Sequence, residues 1–100
     1  MLIPHTTDPA KTTAIITVIG QDKVGIIAGV SSLLAEVSAN INDISQTILH
    51  DVFTMIMIVD LSKATVDIKT LADRLEKKGL ELGLSIRIQH SDIFNAMHRI

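Results

Sequence analysis

The chain of 100 residues contains no cysteine, tryptophan or tyrosine, and its only aromatic side chains are two phenylalanines. Without cysteine it can form no disulfide, zinc–thiolate site or thiol nucleophile. Without tryptophan and tyrosine it offers almost no surface on which nucleic-acid bases could stack. It also lacks a basic excess, because its formal net charge is −2 and its isoelectric point is about 6.0. These absences exclude thiol chemistry and argue against a nucleic-acid partner.

Long apolar runs are missing too. No stretch approaches the roughly 18–20 apolar residues that a membrane-spanning helix requires. The first eleven residues contain Pro4 and Pro9 but not the basic start and apolar stretch of a signal peptide. We therefore expect a cytoplasmic protein without a membrane partner, in which residues 1–11 are a flexible N-terminal tail and residues 12–100 form one folded domain. The hydrophobic fraction of 47% is ordinary for a globular domain.

Motifs for catalysis, metal binding and cofactor binding are also absent. The sequence contains neither a Gly-x-Ser-x-Gly nucleophile turn nor a phosphate loop ending in Gly-Lys-Ser/Thr. Its four histidines are far apart and form no pair at the spacing of metal ligands on a helix. We expect no enzyme activity, no metal and no cofactor.

What is present is a regular alternation of strand and helix patterns. β-branched apolar runs favour strands, and apolar residues repeating at helical spacing favour helices. The patterns predict strands at residues 12–19, 41–49, 52–61 and 85–90, and helices at residues 24–38 and 68–82. His50 and Asp51 are the two connecting residues of a predicted tight hairpin. Asp22 and Asp67 are placed to cap the two helices.

This order predicts an α+β fold, the ferredoxin-like βαββαβ sandwich. Right-handed crossovers place both helices on one face of a four-stranded antiparallel sheet. Ser91 would begin a short C-terminal helix, with Ile93, Met97 and Ile100 on one side. The first and third strands are apolar on both sides, but the helices cover only one face of the sheet. The other apolar face must therefore be shielded from water by a partner. Sheet-to-sheet or edge-to-edge pairing of two copies would provide that shielding, and we expect a homodimer.

The segment from Thr13 to Ile44 is the best candidate for a binding site. A helix start has N–H groups without an intrahelical partner and a partial positive charge, which suits a carboxylate. Asparagine and aspartate side chains can bind the ammonium group at the other end of a small zwitterion. We expect the loop and the start of the second strand to lie within reach of each other. The candidate ligand-binding residues are Asp22, Lys23, Val24, Gly25, Ile26, Asn40 and Asn42.

Each of these residues also has a purely structural interpretation. Asp22 could act only as a helix cap, and Asn40 could simply tolerate a left-handed backbone before the second strand. Gly25 and Gly29, one helical turn apart, would leave a bare strip where a ligand or another backbone could approach. Asn42 and Asp43 should face opposite sides of their strand, so that at most one of them faces a given site.

The loop after the first strand and the start of the second strand resemble those of the ACT domain, a small regulatory module that binds amino acids in metabolic enzymes and regulators. The resemblance covers residues 13–90. It rests on Gly20-Gln21-Asp22-Lys23-Val24-Gly25-Ile26-Ile27, where the family typically has Asp-Arg-Pro-Gly before apolar residues, and on Ala39-Asn40-Ile41. It implies ligand contacts for Asp22 and Asn40 and close approach at Gly25. Val24 stands where proline is usual, and Gly20 where a serine-binding relative has histidine.

The whole chain is similar to stand-alone single-ACT proteins and to the halves of the glycine-cleavage-system repressor. The resemblance implies a homodimer that senses a small ligand, with an amino acid as the expected class. The alternative hypothesis is a ligand-independent interaction module that binds a metabolic enzyme or a regulatory protein.

Overall fold

The computed structural model describes residues 13–90. These residues form six elements: β1 (Thr13–Gln21), α1 (Ile26–Glu36), β2 (Asn40–Leu49), β3 (Val52–Asp60), α2 (Ile68–Leu82) and β4 (Leu84–His90). The sheet order is β2-β3-β1-β4, and every neighbouring pair is antiparallel. This confirms the predicted ferredoxin-like topology. The predicted tail at 1–11 and the helix predicted to begin at Ser91 lie outside the described residues.

The core lies between one face of the sheet and the two helices. On β1 and β3 alternate residues are buried, and on the helices the buried residues follow helical spacing. The largest fully buried side chains are Ile16, Leu34, Met55, Met57, Leu71 and Leu75. The opposite face of the sheet exposes Ile19 and Ile56, each at 46%. The prediction that the first and third strands are apolar on both sides is therefore confirmed.

The β2–β3 hairpin has the predicted two-residue turn. His50 and Asp51 have φ angles of 52° and 69°, and a type I′ turn needs this left-handed conformation at both positions. The backbone N–H of Asp22 donates a hydrogen bond of 2.9 Å to the carbonyl of Asp51. This bond holds the β1–α1 loop against the hairpin.

The two helix starts differ from each other. Asp67 caps α2 as predicted, since its carboxylate accepts a 2.8 Å hydrogen bond from the N–H of Thr70. This bond lowers the pKa of the Asp67 carboxyl below its ordinary value. The cap predicted for α1 is wrong, because α1 begins at Ile26 and its N-cap is Gly25, with no side-chain cap bond. Gly25 turns the chain at a φ of 94°, which moves the helix start beyond the reach of Asp22.

Glycines permit two close approaches around α2. A Cβ at Gly79 would lie 2.6 Å from the carbonyl oxygen of Leu84, so α2 packs directly against the β4 backbone. A Cβ at Gly29 would lie 3.2 Å from a methyl carbon of Leu82. The strip expected at Gly25 and Gly29 is therefore only half open: α2 covers Gly29, whereas nothing lies within 4 Å of a Cβ at Gly25.

A β-bulge interrupts the start of β2. The pairing with β3 passes from Ile41↔Val59 to Asp43↔Ile58, which leaves Asn42 as the extra residue. The expected opposite orientation of Asn42 and Asp43 assumed that side chains alternate regularly along β2, and the bulge interrupts that alternation. The Asn40 side-chain amide donates a 2.9 Å hydrogen bond to the Asn42 side-chain oxygen, so these two asparagines lie together.

Candidate ligand-binding site

The start of α1 is an open helix N-terminus. Its first helical hydrogen bond, from the N–H of Gly29 to the carbonyl of Gly25, is 2.8 Å long. The N–H groups of residues 26–28 precede that bond and have no partner within the helix. The helix has no acidic residue in its first turn and no side-chain cap. These donors and their partial positive charge are therefore available to an external anion.

The loop residues around this N-terminus have different surroundings. Asp22, Val24 and Gly25 are exposed, and Val24 at 99% exposure projects fully into solvent. Ile26 is only 2% exposed, so its side chain belongs to the core and only its backbone N–H faces the site. Of the predicted loop residues, Asp22 therefore offers an unburied charge, and Gly25 leaves room for an approaching group.

Lys23 points toward the other helix. Its ammonium nitrogen lies 3.4 Å from the position of a Cβ at Gly83, the C-cap of α2. A cation at a helix C-terminus interacts favourably with the partial negative charge there. Lys23 thus has a structural role at the end of α2, in addition to its predicted place in the site.

Asn40 and Asn42 are at the far end of the sheet. On β3, Val52 pairs with Gln21 next to the loop, whereas Asp60 pairs with Asn40. Val52 and Asp60 are eight residue steps apart on β3, a distance of about 26 Å in a strand. The expectation that the loop and the asparagines lie within reach of each other is therefore wrong for a single chain. The structure does group the two asparagines with each other.

A polar cleft of about 480 Å³ lies beside Asn40, and most of its lining residues were not predicted from the sequence. The other lining residues are Ser38, Ala39, Asp60, Ser62 and Lys63. Asp60 pairs with Asn40 across the sheet and accepts a 2.9 Å hydrogen bond from the N–H of Ser62. The sequence contained one local signal, the Asp-x-Ser spacing typical of an Asx turn. The Asx turn at Asp60 lies close to Asn40 only because of the register between β2 and β3, which the sequence alone did not define.

The outer edge of β2 runs from the end of the sheet that holds Asn40 to the hairpin end, near the β1–α1 loop. β2 is an edge strand whose Ile44 and Ile48 pair with the buried residues Met57 and Phe53, so they face the helix side of the sheet. They are nevertheless 42% and 55% exposed. The helices therefore leave an apolar row uncovered along β2, between the loop at one end and the asparagine cleft at the other.

The profile of the ACT domain matches residues 12–89 of the chain. The chain is 60% identical over 87 residues to a UPF0237 protein of Clostridium acetobutylicum, covering 87% of this chain and 98% of the relative. The chain belongs to the ACT domain family. The fold and motif are thus those of an ACT domain, which confirms the resemblance drawn from residues 13–90.

Solved structures agree with this assignment. An ACT domain protein from Streptococcus pneumoniae is 48% identical, with a TM-score of 0.73, and the match covers 82% of this ACT domain chain and 92% of that one. A putative glycine cleavage system transcriptional repressor is 24% identical, with a TM-score of 0.66 over 77% of this chain and 44% of that chain. The second match shows a shared fold.

The described part of this ACT domain contains neither a group of metal ligands nor a membrane-spanning helix. Among residues 13–90, no three His, Cys, Asp or Glu side chains are grouped so that they could hold a metal ion. No helix in the same residues is long and apolar enough to cross a membrane.

Proposed function

We propose that this ACT domain is a non-enzymatic regulatory homodimer that binds an amino acid between its two copies. The observation that supports this proposal most strongly is the β2 edge. It is unpaired in the sheet order, and it has the open α1 N-terminus near one end and the paired asparagines at the other.

Antiparallel pairing of β2 with β2 of a second copy would bring these two ends together. In an antiparallel pair, the start of one strand lies beside the end of the other. Asn40 and Asn42 of one copy would then lie beside the hairpin end of the other copy. Asp22 is hydrogen-bonded to that hairpin. Two-fold symmetry would create two equivalent sites, each with a loop from one copy and asparagines from the other.

The same pairing would bury the exposed apolar row. With the helices of both copies on one side of a continuous sheet, Ile44 and Ile48 of the two copies would share the helix-facing side of the junction. Burying a large aliphatic side chain contributes about 1.5–3 kcal/mol when burial is complete. The pairing would also satisfy the free backbone groups of the β2 edge.

The chemistry of the two ends suits a zwitterion. The ligand carboxylate would accept hydrogen bonds from the first N–H groups of α1, with Gly25 leaving space for it. The Asp22 carboxylate and the side-chain oxygens of Asn40 and Asn42 are acceptors for an ammonium group. The small, polar cleft at Asn40 would enclose a compact amino acid.

A ligand-independent interaction module is the second candidate function. The sheet face opposite the helices favours it, because Val52, Ile56 and Ile58 there are 47%, 46% and 36% exposed. Exposed apolar groups clustered on one face are typical of surfaces that bind another protein. A regulatory protein or an enzyme would be the partner on this face.

Thermal unfolding with each of the twenty amino acids tests the ligand proposal. A ligand present at 100 times its dissociation constant should add about 2.7 kcal/mol to the free energy of unfolding. We expect one or a few amino acids to raise the melting temperature. Asp22→Ala should sharply reduce that increase and leave the ligand-free melting temperature unchanged, because the Asp22 side chain does not cap α1. If no amino acid shifts the melting temperature, the interaction module becomes the leading function.

A further inference from the structure

We infer that Lys23 positions the β1–α1 loop for ligand binding by holding it against the C-terminus of α2, rather than by contacting the ligand itself. Its effect on affinity rests on the proposed function, whereas its hold on the loop does not. The structure places the ammonium nitrogen of Lys23 at the other helix, 3.4 Å from the position of a Cβ at Gly83.

The end of β1 lies directly beside the end of α2. Gly20 of β1 pairs with Leu84, and a Cβ at Gly20 would lie 3.2 Å from the carbonyl oxygen of Gly83. This close approach brings the loop that follows β1 to the C-terminus of α2. Lys23 comes only three residues after Gly20, so its long side chain can span the remaining gap.

The C-terminus of α2 favours a cation. The last carbonyl groups of a helix have no partner within the helix and carry a partial negative charge. Glu81 adds a full negative charge, and α2 has no basic residue in its last turn. Lys78 lies 3.3 Å from the Glu81 carboxylate and is engaged with it. Lys23 therefore supplies, from another element, the cation that complements the helix end itself.

The loop is attached at both ends, and Lys23 attaches its middle. At the start, the N–H of Asp22 donates a 2.9 Å hydrogen bond to the β2–β3 hairpin, and at the end Ile26 is buried in the core. Between them, Val24 is 99% exposed and nothing lies within 4 Å of a Cβ at Gly25. The contact of Lys23 with α2 thus fixes the direction from which the chain enters α1.

Fixing the loop should raise affinity by preorganisation. The first N–H groups of α1 and the Asp22 carboxylate can bind one zwitterion only while the loop keeps its geometry. A loop that becomes ordered only on binding lowers the affinity, because ordering costs conformational entropy. Lys23 is exposed, so salt partly screens its charge. A cation at a helix C-terminus changes an equilibrium constant by about two- to fivefold, and we expect an effect of this size.

Three variants separate positioning from a direct ligand contact and from a change in net charge. Lys23→Met keeps a long unbranched side chain but removes the ammonium group, and Lys23→Arg keeps a cation at the same place. Lys77→Met is the matched control, because it removes the same charge from an exposed position on α2.

Amide hydrogen exchange, measured by NMR without any amino acid, reports the hold on the loop. The bonded N–H groups of Asp22 and Gly29 lie at its two ends. In Lys23→Met we expect both to exchange about two- to fivefold faster relative to the amide of Met57, a buried residue of β3. Lys23→Arg and Lys77→Met should keep the ratios of the unmodified protein. Equal ratios in Lys23→Met and Lys77→Met, or no rescue by arginine, would overturn the inference.

Thermal unfolding with an equimolar mixture of the twenty common amino acids measures the consequence for binding. Lys23→Met should need about two- to fivefold more of the mixture than the unmodified protein for the same rise in melting temperature. Two results would overturn the inference: a higher requirement with unchanged exchange, because Lys23 would then contact the amino acid itself, and faster exchange with an unchanged requirement. If the mixture does not stabilise the unmodified protein, the proposed function fails, and the exchange measurement alone decides the role of Lys23.

Discussion

Ile48→Lys is expected to convert the protein from a dimer of about twice 10.9 kDa into a monomer. Ile48 is 55% exposed on the β2 edge, and the proposed pairing buries it against a second copy. A lysine there would place two ammonium groups in the closed junction, where each must be desolvated without a partner. Sedimentation at micromolar concentration measures the mass. The monomer should also lose the thermal shift with amino acids, because each site needs two copies.

Ile56→Lys is the matched control for this change. Ile56 is exposed to a similar extent, 46%, but lies on β3 in the sheet face opposite the helices. Edge pairing predicts that Ile56→Lys stays dimeric and keeps its ligand. If Ile56→Lys dissociates and Ile48→Lys does not, the copies pair through their sheet faces and the proposed site between two β2 edges is wrong.

Gly79→Ala is expected to lower the free energy of unfolding by about 2–3 kcal/mol. The added methyl group would overlap the carbonyl oxygen of Leu84 at 2.6 Å and contact Ile86 at 3.3 Å. The carbonyl belongs to the backbone of β4, which pairs with β1 and cannot move independently. The intrinsic helix preference of alanine over glycine offsets about 1 kcal/mol of a larger steric cost. Denaturant unfolding at fixed protein concentration gives the difference.

Gly29→Ala provides the comparison for the same chemical change in α1. Its methyl group would meet the end of the Leu82 side chain at 3.2 Å and the Lys78 side chain at an ordinary 3.9 Å, and both side chains can rotate away. Because the helix preference then dominates, stability should be unchanged or higher by up to about 1 kcal/mol. Equal losses in the two variants would show that close packing at Gly79 is not what makes glycine necessary there.

The sequence was sufficient for the fold because its signals were local and mutually consistent. The apolar alternation of β3, the helical spacing from Ile68 to Leu82 and the cap at Asp67 each depend on residues within a few positions. The two-residue hairpin at His50 and Asp51 likewise follows from strand lengths and spacing. Right-handed crossovers then left little freedom in the topology.

The site was less predictable because it depends on register and backbone conformation. The predicted capping role of Asp22 was wrong because Gly25, in a left-handed conformation, is the N-cap, and the helix begins at Ile26, two residues later than predicted. The predicted opposite orientation of Asn42 and Asp43 rested on regular alternation, which a bulge in β2 interrupts. The loop and Asn40 belong to neighbouring elements of the sequence, but they lie at opposite ends of the sheet. Gln21, next to the loop, pairs with Val52 at the start of β3, whereas Asn40 pairs with Asp60 at its end. In the proposed dimer, pairing between two copies would restore the expected proximity.

In the proposed dimer each ligand site contains residues of two chains, and mixing two defective variants tests this arrangement most directly. Asp22→Ala removes the loop carboxylate, and Asn40→Ala removes the asparagine on the other side. Each variant alone should bind weakly, because every site in its dimer lacks one contact. In a mixed dimer, one site lacks both contacts and the other is intact.

Calorimetric titration after exchange of subunits, with the amino acid that best stabilises the unmodified protein, provides the measurement. We predict that an equal mixture regains full affinity at about one quarter of the sites, since random exchange makes half the dimers mixed. Binding in the mixture that equals the average of the two separate variants would contradict a site shared between two copies.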